Sequence, residues 1–98
     1  MKFLTLEQAL KVMRCPTWTG TPLFAKEGEL EVLFYKGIDM QTLTPTNQLF
    51  VDAVTYGARE FENTKSALRR VGFVVQNASV IFGSDGEVNF YNINACLP

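Results

Sequence analysis

The chain has 98 residues, 47% of them apolar and 19% charged, with no histidine and a formal net charge of −1. That length holds one domain with a single core, and the composition is that of a folded globule rather than a disordered tail. The near-neutral charge offers no general attraction to phosphate backbones or anionic lipid, so nucleic-acid binding and membrane association are not favoured; the missing histidine removes the commonest general base and metal ligand.

The run Met1-Lys2-Phe3-Leu4-Thr5-Leu6 reaches Glu7 after too few apolar residues for a secretory leader, and no later segment approaches the ~20 apolar residues of a membrane span. A soluble, cytoplasmic protein is the expectation. Thr5 and Gln8 have the spacing of a capping box, which predicts a short helix from Leu6 to Arg14 with Leu6, Ala9, Leu10 and Met13 on one face. Cys15-Pro16 stops it, and Trp18 opens a loop from Thr17 to Pro22.

From Leu23 the residues turn β-branched and aromatic, and Lys26-Glu27-Gly28-Glu29 reads as the turn of a hairpin joining Leu23–Ala25 to Leu30–Lys36. Ile38 to Leu43 is a connector. Thr44-Pro45 then has the form of an N-cap and N1 pair. Phe50, Val54, Gly57, Phe61, Thr64, Leu68 and Val71 follow at alternating steps of four and three, and Arg69, Arg70 and Gly72 suit a helix C-terminus. A helix over Thr44–Gly72 would hold about 27 residues and measure roughly 40 Å, longer than the ~34 Å diameter of such a domain. A bend at Gly57 or a break near Asn63 is therefore expected.

After Gly72, strands are predicted at Phe73–Gln76, Ser79–Phe82 and Glu87–Ile93, with a hairpin turn at Gly83-Ser84-Asp85-Gly86; the first two are one bulged strand or two short ones. The order implies an α+β fold: a short N-terminal helix, a β-hairpin, a long bent or broken central helix, and a C-terminal β-hairpin, forming a small, mainly antiparallel sheet.

No motif points to catalysis, a cofactor or a metal. The turn at residues 83–86 lacks the lysine of a P-loop and the acidic ligands of a calcium loop. Cys15 and Cys96 read as buried free thiols, Cys15 inert at a helix C-terminus where the dipole disfavours a thiolate. Lys65, Arg69 and Arg70 are partly neutralised by Glu62.

Strand parity supplies the candidate site. With Leu30, Val32, Phe34, Val88 and Phe90 directed to the core, Leu33, Tyr35, Tyr91 and Ile93 share the other face, as an apolar patch bordered by Glu29, Glu31 and Glu87. A helix over this face would hide it; left open, it suits a protein partner or self-association. Trp18 is a second candidate anchor, or a lid on the core.

These features favour a non-enzymatic interaction module that binds and modulates a larger macromolecule by occupying one of its surfaces, in the manner of phage and mobile-element accessory proteins that inhibit or redirect host machinery. The alternative is a homo-oligomer binding a nucleotide-like ligand between its subunits, with Trp18 or Tyr91 stacking and Arg59, Arg69 or Arg70 meeting phosphate. A small enzyme is the third reading.

Overall fold

Residues 50 to 61 satisfy a period of two as well as a period of 3.6, and the structure divides them at Gly57. In the computed structural model, which describes residues 3–97, a strand runs through Pro45–Thr55 and a helix begins only at Ala58. The elements are α1 (Leu6–Met13), β1 (Leu23–Glu27), β2 (Leu30–Ile38), β3 (Pro45–Thr55), α2 (Ala58–Val71), β4 (Val74–Phe82) and β5 (Val88–Leu97). The α+β class holds, with more strand than two hairpins supply.

The helix expected from Thr44 is thus corrected over its first half. Phe50 and Val54 are four apart, which places them on one helix face but equally on one strand face. Val51, Ala53 and Thr55, the residues between and after them, are the buried set. A β-branched and aromatic run flanked on both sides by strands satisfies its backbone in the sheet, and tertiary pairing outweighs the start signal at Thr44-Pro45. Gly57 does mark the discontinuity, as a strand-to-helix junction rather than a bend.

Other local signals read as expected. The Thr5 hydroxyl accepts from the Gln8 N–H at 3.2 Å while the Gln8 side chain accepts from the Thr5 N–H at 3.0 Å, completing the capping box of α1. Gly72 adopts φ 114° beyond α2, a conformation that a side chain resists. At the start of α2 the Glu60 carboxylate accepts from the Thr55 hydroxyl at 3.0 Å, and a Cβ on Gly57 would lie 2.6 Å from it. The acidic group therefore sits at the positive helix end without a side-chain N-cap.

All five strands form one antiparallel sheet in the order β1-β2-β3-β5-β4. α1 contacts β1 and β2, and α2 contacts β3, β4 and β5. Their burial partners Ala25, Leu30, Val32, Phe34, Val51, Ala53, Ile93 and Ala95 all lie on the same face of the sheet, so both helices cover that face. Phe73 closes one end against Phe34, with ring centroids 6.3 Å apart, and Phe61 of α2 stacks on Tyr91 at 4.8 Å. No described helix is long and apolar enough to cross a membrane.

Candidate interaction surface on the open sheet face

Alternation along β2 sends Leu30, Val32 and Phe34 into the core and leaves Glu31, Leu33 and Tyr35 on the uncovered face, as expected. In β5 the expected parity is reversed. Ile93 is fully buried and Tyr91 packs on the core, whereas Asn92 and Asn94 face outward. Val88 and Phe90 precede Tyr91, the first β5 residue paired with β3, so they pair only with β4 at the end of a hairpin and do not enter the core. The proposed grouping of Leu33, Tyr35, Tyr91 and Ile93 is therefore split between opposite faces, with β3 lying between β2 and β5.

What joins Leu33 and Tyr35 instead comes from β1 and β3. Phe24 is the register partner of Leu33, and Phe50 that of Tyr35, whose ring it stacks on at 5.5 Å. A depression of about 240 Å³ beside them is lined by Pro22, Leu33, Tyr35, Lys36, Ile38 and Pro45. It leads to the tip of the β2–β3 hairpin, where Ile38, Met40 and Leu43 are 59%, 82% and 73% exposed. The Asp39 carboxylate accepts from the N–H groups of Gln41 and Thr42, and the Asp39 carbonyl from the N–H of Leu43 at 2.7 Å, which holds Leu43 at φ 57°.

The rest of the open face is polar. Asn94 on β5 donates to Asp52 on β3 at 2.6 Å, Asn77 on β4 donates to Asn94 at 3.3 Å, and Ser79 donates to Asn77 at 2.9 Å. Burial pushes the Tyr35 hydroxyl above its ordinary pKa, and the nearby Asp52 carboxylate adds to the rise by charge and hydrogen bonding. The hydrogen-bonded row thus runs from Asp52 on β3 to β4, with Tyr35 of β2 beside its Asp52 end, and separates the aromatic half from the edge.

The acidic border is weaker than the sequence suggested. Glu31 faces its register partner Lys26, Nζ to Oε1 at 3.9 Å, and Glu29 lies in the exposed turn between β1 and β2. Trp18 packs against the core with Lys36 Nζ 5.8 Å from its ring centroid, which is the lid arrangement.

Within one chain, the residues named for the alternative phosphate site stand apart. Tyr91 is occupied by Phe61, while Arg59 and Arg69 stand at opposite ends of α2, about 15 Å apart along its axis. A groove of about 570 Å³ between the helices is lined by Leu6, Leu10, Lys11, Arg14, Ala67 and Arg70, with Lys11 facing Glu7 at 4.0 Å. Among the described residues, no three of Cys, Asp and Glu cluster as metal ligands.

Both cysteines are free, but Cys15 is exposed rather than buried. The Thr17 hydroxyl lies 3.0 Å from its sulfur, and hydrogen bonds from the side chain and backbone of Thr17 hold the thiol below its ordinary pKa. Thr17, beyond the helix end, supplies local donors that the dipole argument for an inert thiol left out.

Sequence reasoning missed Phe50, which it placed in a helix, and Ile38, Met40 and Leu43, which it placed in a featureless connector. The even spacing of Phe50, Asp52 and Val54 was the available signal. Comparison of the chain with protein-family models, curated proteins and solved structures finds no match to any of them.

Proposed function

We propose that this chain is a non-enzymatic interaction module that binds a larger macromolecular partner through the aromatic half of its open sheet face. One observation carries the reading: both helices lie on one side of the sheet, leaving Phe24, Leu33, Tyr35 and Phe50 together on the other. An antiparallel sheet with one face in water usually alternates apolar-in and polar-out. Here the outward positions of β1 to β3 gather Phe24, Leu33, Tyr35 and Phe50 beside the charged Lys26, Glu31 and Asp52, next to exposed Met40 and Leu43 at the hairpin tip. Large apolar groups gathered on one surface suit a desolvated protein contact with aromatic anchors.

The partner is a protein whose own surface is occupied, and so inhibited or redirected, when this face docks. Action in the cytoplasm accords with two free thiols, which a reducing compartment maintains. The test is affinity capture from the native host with wild-type, Leu33→Glu and Met40→Asp chains as baits. A protein retained by the wild type and lost by folded Leu33→Glu supports the reading. Equal capture by all three overturns it.

A further inference from the structure

The two edges of the sheet are built differently. β1 is five residues long, follows Pro22, and carries Lys26 and Glu27. Its outer side is already engaged: Leu4 pairs in parallel with Ala25, and the Lys26 N–H donates to the Leu4 carbonyl at 2.9 Å. Short length, charge, a flanking proline and a covering segment are the usual means of blunting an edge.

β4 has almost none of these. It spans nine residues, Val74-Val75-Gln76-Asn77-Ala78-Ser79-Val80-Ile81-Phe82, about 30 Å of strand without a charged residue or a proline. Among the described residues nothing pairs with its outer side. Val74 and Phe82 are more than half exposed, and Val80 and Ile81 are each 38% exposed. Register irregularities fall near its ends, between Val75 and Asn77 and between Ile81 and Phe82, leaving Asn77–Ile81 as a regular ladder.

The order of side chains along β4 says what fits it. Two apolar residues, four small or polar ones and three apolar ones read nearly the same from either end. An antiparallel copy of the same strand centred on Ala78 sets Val74 against Phe82, Val75 against Ile81 and Asn77 against Ser79, with Gln76 against Val80 the one mixed pair, and it opposes no like charges. A two-fold axis through the strand centre generates that arrangement.

We infer that β4 is the seam of a homodimer, in which two copies pair antiparallel along Val74–Phe82 and merge their sheets into one. Because β1 is blocked, the pairing closes at two copies. The seam lies beyond the polar row formed by Asn77 and Asn94, so the aromatic half of the open face stays accessible in the dimer.

Sedimentation equilibrium on the purified chain tests this. The expected wild-type mass is twice the 11.0 kDa of one chain; Ser79→Lys, which brings two like charges together diagonally across the axis, and Ile81→Lys, which sets a charge against the apolar Val75 of the second copy, each bring it to one chain mass with unchanged circular dichroism. Leu33→Glu leaves the dimer intact, which separates this inference from the partner-binding surface. A cysteine scan with copper-phenanthroline oxidation in a Cys15→Ser background gives a second measurement that does not depend on the lysine variants folding. Cysteine at one or more of Asn77, Ala78 and Ser79 yields a disulfide-linked dimer, whereas cysteine at Phe24 yields none. A monomeric wild type, dimers that survive both lysine substitutions, cross-linking at Phe24 alone, or association with a different protein's strand at β4 in place of a second copy overturns the proposal.

Discussion

Asn94 on β5 donates to the carboxylate of Asp52 on β3 at 2.6 Å, and that same carboxylate lies beside the Tyr35 hydroxyl on β2. One acidic group thereby links three neighbouring strands on the face that carries no helix.

The Tyr35 pKa follows from this arrangement. Phenolate absorbance in an alkaline titration is expected to show Tyr35 ionising at higher pH than free tyrosine, and Asp52→Ala to lower its pKa without abolishing the shift, because burial is the larger cause. A folded-state value raised above the unfolded one means the contribution to stability is complete below pH ~10 and is lost as pH rises through the raised value. Asp52→Ala also leaves the Asn94 amide without its acceptor, at a cost of about 1 kcal/mol. A Tyr35 titration identical in Asp52→Ala and wild type would exclude the coupling.

The reversed parity of β5 gives a stability contrast. Ile93→Ala opens a cavity in a fully buried site and is expected to cost about 3 kcal/mol in urea unfolding. Leu33→Ala, on the open face, is expected to cost about 1 kcal/mol or less. Equal losses would return Ile93 to the surface where the sequence reading placed it.

Cys15 and Cys96 are expected to separate by reactivity. A thiol reagent should label Cys15 rapidly in the native protein and Cys96 only on unfolding, since Cys96 is buried between its register partners Phe50 and Val74. Thr17→Val removes the side-chain hydrogen bond and should raise the pH at which Cys15 labelling reaches half its maximal rate. An unchanged labelling profile would assign the shift elsewhere.

Two backbone sites carry opposite expectations. Gly72→Ala places a Cβ at φ 114° and 3.3 Å from Leu97 Cδ1, and is expected to cost about 1 kcal/mol. Leu43→Gly relieves a left-handed leucine and, after the added chain entropy of glycine, should gain about 0.5 kcal/mol. Thermal melts of the two variants that shift in the same direction would contradict the assignment.

Signals confined to one turn of chain were legible in the sequence: the capping box at Thr5 and Gln8, the turn at Gly28-Glu29, and the glycine that ends α2. The parity of β2 was legible too, because its buried residues alternate with Glu31 and Tyr35. The identity of β3 was not, since steps of four at Phe50 and Val54 fit either period and only the flanking strands decide between them. That error carried into the site. With β3 read as helix, β2 and β5 became neighbours, and Tyr91 and Ile93 were joined to Leu33 and Tyr35. The alternation Tyr91-Asn92-Ile93-Asn94-Ala95 held the correct parity, but it becomes clear only when the strand is followed to Leu97. Ile38, Met40 and Leu43 lacked any periodic context, so their grouping at a hairpin tip depended on knowing that β3 returns beside β2.

The strand order has a further consequence for how the chain is assembled. β5 comes last in sequence yet lies between β3 and β4, which run parallel to each other and are joined only through α2. During synthesis, β1 to β3 can pair as they emerge, whereas β4 has no neighbour in the sheet until β5 follows it. Ile93 and Ala95, both central to the core, come from that joining strand. The topology thus makes β5 the strand that joins the β1–β3 meander to β4, and without it the uncharged β4 has no partner on either side among the described residues.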